Sequence, residues 1–282
     1  MSGETTRRAP PRVVTAPLFP ELLTGLLELL TGLDAGEWAA PVPRKSWSVK
    51  EVALHLLGGD VGLLSRQRDG HAAAGARIDD YEGLVRFLKT HNDTWVDAAR
   101  RISPRLLCDL LRFTGDQVSD YVQSLDPDAP TEPVSWAGPD PAPTWLHVAR
   151  EYTERWHHQQ HIRDAVAKPG YGGVRYLRPA LETFVRAFPR AYRNVEAADG
   201  TVIEVAISGA AGDKWLLVRE SAAWRLYLGH AAAPDALVVL PQEIAWRLFT
   251  KWIARRDALR ESRVRGDPSL ASTVFDTVAV LA

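Results

Sequence analysis

Apolar residues recur with a helical period through about the first 168 residues of the chain. Leucines cover a broad face between Pro20 and Gly32, and the capping pattern Ser48-Val49-Lys50-Glu51 predicts the start of a second helix. Proline-rich residues 126–143 predict a loop. The predicted helices begin at Pro20 and Ser48 and then cover about 80–102, 104–125 and 144–168.

The period changes after residue 170. Short runs of β-branched, aromatic and leucine residues alternate partly with polar ones and are separated by turns rich in Gly or Ala. These runs predict strands of an antiparallel sheet at 201–208, 213–220, 223–229 and 235–240. Helical patterns flank them at about 179–194, 241–254 and 268–280.

The two patterns predict a multi-domain chain that combines an all-α region with an α+β region. With 282 residues, the chain is longer than one typical domain. Glycine-rich residues 170–173 are the predicted linker. We therefore predict a helical domain over residues 1–169 and a smaller α+β domain with an antiparallel sheet over residues 174–282.

Charge and cysteine content exclude several classes of partner. The formal net charge is −1, and the basic residues form no dense run, so we expect no nucleic-acid partner. The single cysteine, Cys108, excludes an intramolecular disulfide and a CxxC motif. The first residues lack the apolar segment of a secretory signal, and the leucine-rich helix is interrupted by glutamates. We expect a cytoplasmic protein with no membrane partner.

The stretch EYTERWHHQQHIRD, residues 151–164, concentrates histidine and glutamate on one predicted helix. Helical geometry places His147, Glu151, Glu154, His158 and His161 on one narrow stripe, with His157 at its edge. Side chains three and four residues apart on a helix lie close enough to share a metal ion. The alternative is an exposed polar face with Glu–His hydrogen bonds.

A metal site on this helix needs a ligand from elsewhere. His55 lies at the border of the apolar stripe of the second helix, so it is the candidate third ligand; the alternative is a core histidine with an ordinary hydrogen-bond partner. Cys108 lies in a leucine-rich stretch, which is more typical of an inert core thiol than of a nucleophile. The weaker candidates are His71, His91 and His230.

Two segments carry a resemblance to a known family. SWSVKEVALHLLGGD (46–60) and EYTERWHHQQHIRDAVAKPG (151–170) together resemble the DinB-like metalloenzymes, in the branch of the mycothiol-dependent maleylpyruvate isomerases. The C-terminal sequence RVRGDPSLASTVFDTVAVLA looks like the sterol-carrier-protein-like domain of that branch. Together these similarities cover most of the chain.

The resemblance implies a fold and a ligand set. The first domain is then a DinB-like helical bundle, and the metal ligands are His55, Glu154 and His158. His157 and His161 are additional to the family's pattern, so a register in which His161 replaces His158 stays open. Three such ligands leave one coordination position of a zinc ion open, as in catalytic zinc sites.

The resemblance also implies an activity. We expect an enzyme that depends on a divalent metal, zinc, and on a low-molecular-weight thiol, mycothiol, as cofactor or co-substrate. The thiol adds to an electrophilic small molecule, and the outcome is either cis–trans isomerisation or S-transfer. The alternative function is a non-catalytic DinB-like metal-binding, regulatory or ligand-carrier protein. The sequence identifies neither the substrate nor the oligomeric state.

Overall fold

The computed structural model describes residues 5–44, 46–71 and 80–280. The ends of the two predicted domains, residues 1–4 and 281–282, lie outside this part of the chain. The described residues divide into two compact units, which we name the helical unit and the sheet unit. The helical unit comprises Val14–Ala129 and Val148–Tyr171, and the sheet unit comprises the segment up to Val13, Pro130–His147 and Gly172–Val280. The predicted boundaries, 1–169 and 174–282, refer to separately folding domains and stay a prediction.

The helical region predicted at the start of the chain is confirmed. Its longest helices have the positions that the hydrophobic pattern predicts, and a single π-helical turn, Leu64–Arg68, extends the third helix. The helices are α1 (Phe19–Thr31), α2 (Ala35–Ala39), α3 (Val49–Leu63), α4 (Tyr81–Ala99), α5 (Pro104–Ser124) and α6 (Thr144–Ala165).

Side-chain caps determine where α2, α3, α4 and α5 begin, with Asp34 as the cap of α2. At α3, the Ser48 hydroxyl accepts from the Glu51 backbone N–H, and the Glu51 carboxylate accepts from the Ser48 N–H, as the sequence predicts. Asp80 caps α4 and Ser103 caps α5 through the same type of bond to a backbone N–H. These caps satisfy N–H groups that have no partner within the helix.

The core of the helical unit lies where α1 and α3 pack against α5. A buried ion pair also ties α6 to this core: Arg155 Nη2 lies 2.7 Å from Asp60 Oδ1, and the Thr114 hydroxyl donates to Asp60 Oδ2. Because α6 is held at Arg155, its neighbour Glu154 has a defined position. The fully buried side chains of this unit include Leu30, Leu54, Leu107, Leu111, Tyr152 and Trp156.

The sheet unit contains one large sheet, a small two-stranded ladder and five helices. Its strands are β1 (Thr6–Arg8), β2 (Pro130–Thr131), β3 (Ala142–Pro143), β4 (Val202–Ser208), β5 (Lys214–Glu220), β6 (Ala223–His230), β7 (Ala236–Pro241) and β8 (Arg263–Gly266). Its helices are α7 (Val174–Phe184), α8 (Phe188–Ala191), α9 (Gln242–Phe249), α10 (Arg255–Arg260) and α11 (Pro268–Ser272).

The large sheet is mostly antiparallel, with the strand order β1-β6-β5-β4-β7-β8. The four predicted strands are confirmed as β4 to β7. The predicted antiparallel sheet is confirmed as a mostly antiparallel one, in which β7 differs because it pairs in parallel with β4. β7 does not form a hairpin with β6, the strand that precedes it in the chain. Its direction relative to its neighbour in the sheet is therefore not fixed as antiparallel by a tight turn. The edge strands β1 and β8 were not predicted.

Aromatic side chains from the helices of this unit pack together in its core. The Phe249 ring of α9 contacts the rings of Phe184 and Phe188 at centroid distances of 6.4 and 5.5 Å. The helix predicted at 179–194 begins earlier, at Val174, and is divided before α8, where Pro189 lies in the first turn. The helix predicted at 268–280 ends at Ser272 and continues only as a 3₁₀ turn.

The proline-rich segment 126–143 is not entirely a loop. β2 and β3 form an antiparallel ladder, in which Pro130 pairs with Pro143 and Thr131 pairs with Ala142. The Thr131 hydroxyl also donates to the Ala142 carbonyl. Edge positions of such a short ladder tolerate proline, because no further strand needs its backbone N–H.

Candidate metal centre

Three side chains from two helices meet within the helical unit. The Nε2 atom of His55, on α3, lies 3.0 Å from Glu154 Oε1, on α6. The Nε2 atom of His158, one turn further along α6, lies 3.0 Å from the same oxygen. One ligand atom from each residue lies within 4.8 Å of the others. The structure therefore brings the three predicted ligands together, and their binding of a metal stays a prediction.

The local sequence explains how His55 is oriented. The Ser48–Glu51 capping box determines the start of α3, and His55 follows one turn after Glu51. Its ring contacts Trp47 at a centroid distance of 5.2 Å and His158 at 4.7 Å. Packing between these two rings restricts the rotamers of His55 and aims its Nε2 atom at Glu154.

Glu154 is a carboxylate at neutral pH. Burial alone would raise its pKa, but the electrostatic interactions with the His158 and His157 imidazoles and the hydrogen bonds from His158 and His55 hold its pKa well below the usual range. About 35% of the Glu154 side chain is exposed, so the carboxylate can be reached from outside the helical unit. It supplies the negative charge of the cluster.

His158 is neutral at neutral pH. Burial, together with the neighbouring His157, lowers its pKa well below the usual value, and the nearby Glu154 carboxylate opposes this shift only in part. A neutral imidazole has a nitrogen lone pair, which metal coordination requires. The buried Nδ1 atom of His158 has no hydrogen-bond partner among the described residues.

The donor set fits a divalent transition-metal ion. Two imidazole nitrogens and one carboxylate oxygen form one of the ligand sets of catalytic zinc, with bonds of about 2.0–2.2 Å. Tetrahedral geometry at that bond length places ligand atoms about 3.3 Å apart. The two 3.0 Å separations around Glu154 Oε1 are close to this value. The same separations suit hydrogen bonds from the two imidazoles to the carboxylate.

The remaining members of the predicted stripe have different environments. His157 and His161 are buried, and one ligand atom from each lies within 4.8 Å of one from His158. Glu151 instead forms an ion pair with Arg155, whose Nη1 lies 2.8 Å from Glu151 Oε2. His158 is the histidine that lies beside Glu154 and His55 in the structure. The alternative register, in which His161 takes the place of His158, is therefore not the arrangement found in this cluster.

The weaker candidates lie in neither of the two clusters found among the described residues. Cys108 is buried, and burial together with Asp109 raises the pKa of its thiol, so the thiol is protonated at neutral pH. His71 and His91 are exposed.

Sequence reasoning missed a buried carboxylate in the sheet unit. Glu204 Oε2 lies 2.8 Å from Nδ1 of His230 and accepts a hydrogen bond from the Ala231 backbone N–H. Glu204 is almost fully buried, so these bonds satisfy a carboxylate that would otherwise be costly to bury. A signal was present in TVIEVAIS (201–208), where one charged residue interrupts an otherwise apolar strand.

A family model describes more than half of the chain. The model of the mycothiol maleylpyruvate isomerase N-terminal domain matches residues 19–163, which include all three predicted ligands. The chain belongs to the mycothiol maleylpyruvate isomerase N-terminal domain family. The resemblance predicted from the two ligand-bearing segments is thereby confirmed. Among curated proteins, none matches this member of the family.

Two crystal structures share the fold of this family member. The crystal structure of the mycothiol-dependent maleylpyruvate isomerase matches with a TM-score of 0.50 and 11% identity, and that of a histidine-to-alanine mutant with 0.51 and 9%. Each match covers 84% of this chain and 88% of the other chain. The crystal structure of Sterol Carrier Protein 2 Like 2 from Aedes aegypti matches 38% of this chain and 100% of its own, with 21% identity and a TM-score of 0.30.

None of the helices in the described part of the chain is both long enough and apolar enough to cross a bilayer.

Proposed function

We propose that this protein is a metal-dependent enzyme that uses mycothiol, a low-molecular-weight thiol, to attack an electrophilic small molecule. The observation that carries the proposal is the convergence of His55, Glu154 and His158 on one point. Membership of a family named for mycothiol and maleylpyruvate isomerase supports the choice of thiol. We propose zinc as the metal, because two imidazoles and a carboxylate are among its usual ligands.

Each of the three residues has a distinct role in this proposal. Glu154 supplies the one negative charge, and His158, neutral because it is buried, supplies a lone pair. His55 supplies the third donor from a different helix, which ties the site to the fold. When bound, the ion supplies positive charge that stabilises the thiolate form of the thiol at neutral pH.

The partly exposed Glu154 marks the side from which thiol and substrate approach. In the proposed reaction, the thiolate adds to one carbon of a carbon–carbon double bond that is conjugated to a carbonyl group. The former double bond can then rotate as a single bond, and expulsion of the thiolate restores it in the other geometry. If the thiol remains attached and the enolate formed by its addition takes up a proton from solvent at carbon, the product is a thioether. The proposal includes both outcomes, because both require the same thiolate.

Turnover assays test this function. Zinc-loaded protein is assayed with mycothiol and maleylpyruvate, then with other conjugated electrophiles, and the assays are repeated without thiol and after chelation of the metal. We expect turnover only when both metal and thiol are present. Full activity without either one would contradict the proposal. Metal binding with no turnover of any electrophile would favour the alternative, a non-catalytic metal-binding, regulatory or ligand-carrier protein.

A further inference from the structure

Two buried histidines of α6 have no role in the proposed reaction. His157 is 2% exposed and His161 is 0% exposed, although histidine is usually at least partly exposed. Together with His158, they form a second cluster in which one ligand atom from each residue lies within 4.8 Å of the others. We propose that His157, His158 and His161 form a second cation position, which binds a transition-metal ion next to the first and shares His158 with it.

The hydrogen bond of His157 determines which of its nitrogens is the ligand. Its Nδ1 lies 2.7 Å from the Thr153 carbonyl oxygen, which can only accept, so Nδ1 carries the ring proton. In the neutral ring, Nε2 therefore carries the lone pair. This Nε2 lies 4.0 Å from Glu154 Oε2, so a carboxylate close to the second position offsets part of the charge of a bound cation.

His158 has one nitrogen for each position. Its Nε2 lies beside Glu154, whereas its buried Nδ1 has no hydrogen-bond partner among the described residues. A histidine that binds metal through one nitrogen normally donates its other N–H to an acceptor, and that acceptor is missing for His158. Coordination of a second ion by Nδ1 satisfies this atom and releases the ring proton to solvent.

The rings are close enough for small rotations to bring their nitrogens onto one ion. The centroid of the His158 ring lies 4.1 Å from that of His157 and 5.3 Å from that of His161, and the His157 and His161 centroids are 5.1 Å apart. Because all three residues lie on one helix, no movement between helices is required.

The ligand chemistry determines which ion is bound. Three imidazole nitrogens suit Zn²⁺, Co²⁺, Ni²⁺ and Cu²⁺, whereas Mg²⁺ and Ca²⁺ prefer oxygen ligands. The three histidines are nearly inaccessible to solvent, so substrate cannot reach an ion held there. An ion at the second position is therefore inaccessible to substrate, in contrast to an ion at the first position, where Glu154 is partly exposed.

Metal stoichiometry of the full chain tests this inference. The metal-free protein is titrated with Co²⁺, and bound ions are counted by native mass spectrometry and by the absorption of the coordinated cobalt. We expect two ions for the wild type and one each for His161→Gln and His55→Gln. His158→Gln should bind neither ion at micromolar Co²⁺. His91→Gln, an exposed histidine of α4, is the matched control and should bind two.

The variants distinguish this inference from the proposed function. One ion in the wild type and none in His55→Gln would overturn the second position and leave the first intact. One ion in the wild type and in His55→Gln, with none in His161→Gln, would instead overturn the first position. Two ions in a folded His161→Gln would overturn the second position, and circular dichroism verifies folding. If His161→Gln does not fold, His157→Gln replaces it with the same expected loss of one ion.

Discussion

His55 Nε2 lies 3.0 Å from Glu154 Oε1, although the two residues are 99 positions apart in the chain. This contact adds a donor from α3 to the Glu154–His158 pair of α6. A pair on one helix supplies only two ligands, whereas zinc in catalytic sites has three from the protein. The proposed activity therefore depends on how α3 and α6 are placed within the helical unit.

Replacing Glu154 by glutamine tests the proposed ligand set. The amide keeps nearly the same size but removes the negative charge that stabilises a bound cation. We expect the zinc concentration for half-maximal turnover to rise at least about 100-fold, because loss of a group that only hydrogen-bonds to a metal ligand already costs about 10–100-fold in metal affinity. His91→Gln is the control, since it alters a histidine outside both clusters. An unchanged zinc requirement in Glu154→Gln would show that Glu154 is not a ligand.

Cys108 is expected to be dispensable for activity. Its thiol is buried, and burial together with Asp109 raises its pKa, so it is protonated at neutral pH and is a poor nucleophile. Cys108→Ser places a hydroxyl among apolar side chains and should destabilise the fold by about 1–3 kcal/mol. Urea unfolding measures this loss, and mycothiol-dependent turnover at 25 °C should stay close to wild type. Lost turnover in a folded Cys108 variant would contradict the requirement for an external thiol.

The capping box of α3 is expected to make stability depend on pH. Burial alone would raise the pKa of Glu51, but hydrogen bonds from the Ser48 backbone and hydroxyl, and the ion pair with Arg100, hold it below its usual value. The unfolded-state pKa is about 4.3, so the stabilising effect of the carboxylate is complete at neutral pH. It is lost as the pH falls through the lower folded-state pKa.

The Glu51→Ala variant measures this effect. We expect a loss of about 1 kcal/mol in the free energy of unfolding at pH 7. This difference from wild type should shrink as the pH is lowered below about 4. Glu82→Ala removes an exposed pair with Arg86 at 3.7 Å and should change stability by less than about 0.5 kcal/mol. A loss in Glu51→Ala that does not change with pH would show that the carboxylate charge makes no contribution.

Two adjacent glycines of α3 should respond to alanine in opposite directions. A Cβ at Gly58 would lie 2.6 Å from Nε1 of Trp95, whose indole is held by a hydrogen bond to the Leu54 carbonyl. Gly58→Ala therefore forces this indole to move and should destabilise the fold by about 1–3 kcal/mol. Gly59 has no atom within 4 Å of its added Cβ, so Gly59→Ala should stabilise α3 by about 0.5–1 kcal/mol.

Thermal unfolding of the two glycine variants provides the measurement. Each serves as the control for the other, because both change one α3 glycine to alanine. Equal effects of the two substitutions would contradict the close packing of Trp95 on Gly58.

The sequence by itself determined features that depend on neighbours in the chain. The Ser48–Glu51 cap and the one-turn spacing of Glu154 and His158 follow from helical geometry, and each is present as predicted. The four central strands, β4 to β7, follow from short runs of apolar and polar residues. In each case, the sequence pattern that predicts the feature spans only a few residues, so local propensity and periodicity suffice to predict it.

Only the tertiary structure decided which distant groups meet. It placed His55 beside Glu154, directed Glu151 to Arg155, and added β1 and β8 at the edges of the sheet. The parallel direction of β7 relative to β4 was likewise decided only by the tertiary structure. The hydrophobic period of a segment records which of its faces is buried but not which other segment covers that face. Contacts between distant segments are therefore set by the packing of the whole unit.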